Sequence, residues 1–226
     1  MANKEGRVTP VDFIDAVLSL TSPWESSSNP TAMHDGQASE RDAPALADLL
    51  STWSTDRLRR LASKQLVGWF SSYSAQEIEE MVGQNALKTK RTFHSRQWPL
   101  GTVDCLLIAA NDVRVCLIDI AVTLRVWHVD RTAAAVGETD GRSLKTDRPN
   151  TSASSGQSPK GNPLEQWQRF HTVAGELPEP HRTTWLLAHY LDLPEAHYPR
   201  LAVDFKLLDG SIRHARVLIQ QQIDRR

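Results

Sequence analysis

The stretch from Val103 to Trp127 constrains this chain more than any other segment. Leu106, Ala110, Val113, Leu117, Ile120, Ala121 and Leu124 recur by threes and fours and fall on one face at 100° per residue. A strand cannot use that spacing, because its side chains alternate between two faces. A long amphipathic helix is expected here, with Arg114 and Arg125, eleven residues apart, sharing a neighbouring face.

Other segments carry helical signals of their own. Thr9 as N-cap and Pro10 at the first helical position open a short helix through Val11, Ile14, Val17 and Leu18. From Thr21 to about Arg41 the chain is rich in Ser, Pro, Asn and Asp without periodicity, which predicts a loop or disordered insertion. Asp42 and Pro44 restart a helix whose apolar stripe is Leu46, Leu49, Leu50, Trp53, Leu58, Leu61, Ala62 and Leu66. Ser74-Ala75-Gln76-Glu77 is a capping box followed by Ile78, Met81 and Val82, so a third helix starts there. Residues 136–162 have the composition of a flexible linker. Beyond Pro163 lie four short helical patterns: Leu164 to Leu177, Pro180 to Tyr190, Ala196 to Val203 and Ser211 to Ile223. No strand run stands out. The expected fold is all-α: an N-terminal helix with its insertion (1–44), a helical domain (45–135), the linker, and a second small helical domain (163–226).

Composition narrows the function classes. The chain has 226 residues, enough to bury a core without staples, and 40% hydrophobic with 23% charged residues excludes a wholly disordered chain. Cys105 and Cys116 sit among apolar neighbours and read as reduced core filling, which fits a reducing cytoplasm. The longest apolar runs, such as Cys105 to Ala110, fall far short of the roughly 20 residues a membrane helix needs, so neither a span nor a secretory signal is expected. The eight histidines form no His-Glu-x-x-His spacing, and neither a Gly-rich phosphate loop nor a Gly-x-Ser-x-Gly elbow occurs, so no metal, no cofactor and no enzyme chemistry is expected. Trp53, Trp69, Trp167 and Trp185 fall on or near apolar stripes and read as core anchors. Trp127, beside His128, could stack on an unpaired base.

The near-neutral total of 26 Lys and Arg against 27 Asp and Glu hides an uneven layout. Residues 1–44 carry 3 basic and 7 acidic side chains, whereas Lys88, Lys90, Arg91 and Arg96 occupy a stretch without acid, and Arg213, Arg216, Arg225 and Arg226 face Asp224 alone after Gly210. Such patches can meet phosphate or serve as solvated helix faces. The last two helical patterns form a helix-turn-helix candidate, with Leu201-Ala202 on the first helix, Asp209-Gly210 at the turn and Ser211 as N-cap of the second. On that second helix Ile212, Ala215, Ile219 and Ile223 make an inward stripe, while Arg213, Arg216 and Gln220 project together. Arginine and glutamine suit the edges of guanine and adenine, and the same surface occurs on helical hairpins that bind no DNA.

Taken in order, these segments resemble the sigma-70 superfamily, specifically a divergent extracytoplasmic-function sigma factor. Asp56 to Ala62 (Asp-Arg-Leu-Arg-Arg-Leu-Ala) resembles the opening helix of region two, and Glu80 to Lys88 resembles the helix that docks on the β′ clamp of RNA polymerase. Ala109 to Ala121 has the family's paired alanines, Ala109 and Ala110, its arginine, Arg114, and its aspartate, Asp119. Leu177-Pro178, Arg182 and Trp185-Leu186-Leu187 resemble region four, and the spacing from Leu201 to Ile212 matches its helix-turn-helix. Gly83 with Gln84, and Gln220-Gln221-Gln222, depart from the pattern, and the tail after Asp119 keeps only Arg125 and Arg131.

The resemblance covers roughly residues 45–131 and 163–226. It implies a cytoplasmic, nucleoid-associated protein that binds core RNA polymerase at the β′ clamp and β flap, promoter DNA, and in some settings an anti-sigma factor. It further implies polymerase contacts by Glu77, Glu80, Gln84 and Lys88, contacts to the upstream part of the minus-ten element by Arg114 and Arg125, and contacts to the minus-thirty-five element by Arg213, His214 and Arg216; Ser211, Gln220 and Trp127, read from their own chemistry, complete the expected DNA-binding set. Two other readings stay open: a helix-turn-helix regulator acting without polymerase, and a sigma-like interaction protein that has lost promoter recognition.

Overall fold

Thr9 and Asp12 start the first helix by closing on each other. The Thr9 hydroxyl oxygen accepts from the Asp12 backbone N–H at 3.2 Å, and the Asp12 carboxylate accepts the Thr9 N–H at 3.2 Å and its hydroxyl at 2.7 Å. These bonds from Thr9 hold the Asp12 carboxyl below its usual range. Helix α1 (Pro10–Glu25) then continues past Leu20, where a loop was expected. Thr21 is buried inside it, its hydroxyl donating to the Val17 carbonyl at 3.0 Å and lying 2.5 Å from the Thr102 hydroxyl.

The computed structural model describes residues 8–25, 42–66, 74–98, 101–137, 163–201 and 211–224. Helix α2 is Asp42–Leu66 and α3 is Ala75–Ser95. The capping box of α3 forms as read, with the Ser74 hydroxyl accepting from the Glu77 N–H at 3.2 Å and the Glu77 carboxylate accepting from the Ser74 N–H at 2.8 Å. Helix α4 (Thr102–Gly137) is one continuous element, longer than its sequence pattern. Then come α5 (Pro163–Gly175), α6 (His181–Trp185) leading straight into a π turn (Leu186–Tyr190), a 3-10 segment (Glu195–Leu201) and α7 (Ser211–Asp224). The described residues are helical, with no strand among them.

The buried residues of α4 run from Cys105 through Leu106, Ala110, Val113 and Leu117 to Leu124, and at 100° per residue they span an arc of about 160°. That is wider than the contact one neighbouring element covers. Helices α2 and α3 pack on α4, and so do α5 and the π turn. Among the described residues, the buried side chains of the two segments expected as separate domains, 45–135 and 163–226, belong to one cluster running from Phe13 to Ile219. The expected linker lies outside the described residues, apart from Val136 and Gly137, which end α4. As expected, Cys105, Cys116, Trp53, Trp167 and Trp185 are buried; Trp69 lies outside the described residues.

Hydrogen bonds from buried side chains tie the two parts together. The Trp53 indole, stacked on Phe13 at 4.2 Å, donates to the Leu191 carbonyl at 2.9 Å, and the Trp167 indole donates to Gln65 at 2.6 Å. Arg57 donates to Asp192 at 2.9 Å, to the His189 carbonyl at 3.1 Å and to the Tyr190 carbonyl at 3.5 Å, so one guanidinium takes up carbonyls that the end of the π turn leaves free. Asp192 adopts φ 60, a left-handed conformation that Asp tolerates better than most residues.

The helix-turn-helix candidate differs from its expected form. Its first helix is the 3-10 segment, which contains Pro199 and so lacks one backbone donor an α-helix would use. Tyr198 and Leu201 bury it, and Arg200 pairs with Asp15 on α1. Helix α7 packs mainly on α5 and α6 instead. The turn at Asp209-Gly210 lies outside the described residues.

Two stability outcomes follow from this packing. Trp53→Phe keeps the ring stack but leaves the Leu191 carbonyl unpaired, and should lower stability by about 1–2 kcal/mol in one urea transition seen alike by circular dichroism and fluorescence. Two separate transitions would contradict a shared core. The second outcome concerns His171 and His189. Burial pushes both imidazoles down, His189 to about 4, with Arg57 and Arg216 adding to the His189 shift and His189 and Arg114 adding to that of His171. Both are neutral when folded and take a proton near 6.5 when unfolded. Their contribution is intact above about pH 6.5 and is lost as pH falls towards 4, with a slope up to about 1.4 kcal/mol per pH unit for each. A urea midpoint measured across pH 4–7 checks it; a midpoint flat below pH 6 would contradict it.

Candidate nucleic-acid interface

Helix α7 buries Ala215 and Ile219 and half-buries Ile212 and Ile223, the inward stripe expected from its sequence. Arg213, Arg216 and Gln220 are left on one exposed face, with Ser211 as the first residue of the helix. His214 is also exposed, its ring 4.7 Å from that of His181 on α6. Gln220 donates to Asp224 at 2.9 Å.

What sets Arg213 and Arg216 apart is that neither holds a hydrogen bond or an ion pair among the described residues. Arg57, Arg59, Arg60, Arg96, Arg125, Arg182 and Arg200 each pair with a carboxylate. Arg114 and Arg169 hold amide or carbonyl oxygens. Among the described arginine side chains, Arg91 on α3 is the other without a partner. A guanidinium with no internal acceptor keeps its full fork of donors for an external anion.

Behind this face lies a cavity of about 810 Å³ lined by Trp185, Ala188, His189, Glu195, Ile212, Arg213 and Arg216. The Trp185 and His189 rings stack in its wall, 5.0 Å apart and 13° from parallel. Neither residue was singled out as a site from the sequence. Their i, i+4 spacing within the Pro180-to-Tyr190 helical pattern was the available signal, but it is indistinguishable there from ordinary core spacing.

Arg114 and Arg125 are placed differently from the expectation that they meet DNA. Arg114 donates to the His171 carbonyl on α5 at 3.0 Å and to Asn111 at 2.9 and 3.1 Å. Its guanidinium fits against Gly175, where a Cβ would come within 2.5 Å of Cζ. Arg125 donates to Gln168 at 3.1 Å and pairs with Glu165 at 3.2 Å, its side chain 42% exposed. Both seal α5 onto α4. Trp127 is half-buried against the core. The reason is the same in each case: the arginines flank the apolar arc of α4, and that flank is where α5 packs.

The α3 residues expected to meet polymerase stay at the surface. Glu77 serves the helix cap, Glu80 accepts from Gln84 at 3.5 Å, and Lys88 pairs with Asp119 on α4 at 3.2 Å. Gln84 and Lys88 line an open groove of about 330 Å³ with Asn85, Asp119, Val122 and Thr123. Exposed apolar side chains accompany it, Leu87 on α3 and Val115, Val122 and Val126 on α4. Apolar surface interleaved with polar side chains is the usual make-up of a protein-binding surface.

Gly175→Ala should force the Arg114 guanidinium off the His171 carbonyl. The expected cost is about 1 kcal/mol net of the gain in helix propensity. In a double-mutant cycle with Arg114→Ala the second change should add little; additive losses would show that the glycine does not seat this arginine.

Comparison with protein-family models, with curated proteins and with solved structures finds no match to this chain. The functional reading therefore rests on the residues and geometry just described.

Proposed function

We propose that the chain is a divergent sigma-like transcription factor, working in the cytoplasm at the nucleoid, that meets promoter DNA through α7 and core RNA polymerase through the Glu80-to-Lys88 face of α3. The observation that carries this reading is the pair Arg213 and Arg216, exposed, one turn apart and without partners in a structure whose other arginines are mostly spoken for. Each phosphate so neutralised releases condensed counterions, and Gln220 on the same face adds a side chain able to read a base edge. The groove at Gln84 and Lys88, with Leu87 beside it, supports the polymerase contact. For Arg114 and Arg125 to reach the minus-ten element, α5 has to leave α4, giving up the bonds to His171, Gln168 and Glu165.

A second reading, DNA binding without polymerase, is favoured by that same occupancy: with Arg114 and Arg125 held internally, α7 keeps the exposed basic side chains among those expected to meet duplex. The two separate in vitro. Purified core polymerase and chain should form a complex that initiates from a defined promoter, whereas duplex binding without transcription supports the second reading. In either case Arg213→Ala with Arg216→Ala should weaken duplex binding and reduce the slope of log K against log salt by about 2, leaving the unfolding midpoint unchanged. An unaltered slope would remove α7 from the interface.

A further inference from the structure

We propose that the cavity behind α7 is a binding site for a small organic phosphate with a planar ring, of mononucleotide size, and that its occupant competes with DNA for Arg213 and Arg216. The competition rests on the DNA-binding reading above; the site itself does not.

Size separates the two ligands. At about 810 Å³ the cavity falls in the range of small-molecule pockets. A duplex is far too wide to enter and can touch only the rim. Charge selects the occupant's head group. Among the described residues lining the cavity, Arg213 and Arg216 face one carboxylate, Glu195. His189 adds no charge, because burial with Arg57, Arg216 and Lys64 nearby outweighs Asp192 and keeps it neutral. The surplus is positive, and two guanidinium forks one turn apart suit a phosphate monoester carrying about −1.5 to −2.

The walls select the rest of the molecule. Trp185, the stacked His189 ring, Ile212 and Ala188 form an aromatic and apolar lining that inorganic phosphate alone would leave unused.

Calorimetric titration of the full chain with adenosine monophosphate, adenosine and inorganic phosphate tests the site. Adenosine monophosphate should bind one to one, with adenosine and phosphate each weaker by about tenfold or more, as expected when both halves of a ligand contribute. Arg213→Gln with Arg216→Gln, at exposed positions, should weaken the nucleotide by a similar factor. Ala188→Phe, which fills the cavity from a position off the α7 face, should abolish nucleotide binding and leave duplex affinity as it was. In the duplex assay, nucleotide at ten times its own Kd should raise the apparent duplex Kd about elevenfold. No heat with adenosine monophosphate, phosphate binding as tightly as the nucleotide, or nucleotide affinity unchanged in both variants would each overturn the site. Nucleotide binding in a chain that fails to bind duplex would uphold the site and overturn the competition.

Discussion

The burial of α4 on both flanks of its apolar arc is the constraint on which the rest of this structure depends. A helix whose inward face is about 160° wide needs more than one set of neighbours, and α2 and α3 cover one part of it while α5 and the π turn cover the other. Everything that joins the early and late segments follows from that arrangement. Trp53, Arg57 and Trp167 reach across with polar atoms that would otherwise be stranded in the interior, and each finds an acceptor on the opposite segment. Burial of apolar area supplies the drive, and the hydrogen bonds remove the penalty of burying polar groups along with it.

This packing divides the basic side chains into two kinds. Arg114 and Arg125 flank the arc, so the arrival of α5 recruits them as internal ties. Arg213 and Arg216 lie on the face of α7 beside its buried stripe, where they hold no hydrogen bond or ion pair among the described residues. An arginine's availability to an external anion is thus decided by which side of the core its helix faces, and the proposal that α7 contacts DNA draws its support from that asymmetry. The cavity next to it, walled by Trp185 and His189, gives the same two guanidinia a second kind of anion to hold.

Much of the local architecture could be read from single residues. The Thr9-Pro10 start, the Ser74-to-Glu77 capping box and the unbroken helix through Leu106 and Leu124 rest on backbone chemistry confined to a few neighbouring residues, and each is present. The inward stripe and exposed basic face of α7 were legible for the same reason: helical periodicity alone sorts Ala215 and Ile219 from Arg213 and Arg216. Reading failed where the deciding partner was distant. Thr21, inside α1, meets the Thr102 hydroxyl 81 residues on, and nothing near Thr21 announces that partner. Pro199, visible in the sequence, was the one local clue that the segment before α7 would tighten into a 3-10 helix.

What the sequence determined by itself is the helical class, the caps, and which side of each helix is apolar, because these depend on backbone hydrogen bonding and on residues within one or two turns. What only the tertiary structure decided is that 42–66 and 163–201 share a core, that Arg114 and Arg125 are held by α5 whereas Arg213 and Arg216 are free, and that Trp185 and His189 wall a cavity. Those outcomes depend on which surfaces meet across more than a hundred residues of chain, and a guanidinium carries the same charge whether it ends beside a carbonyl or in open solvent.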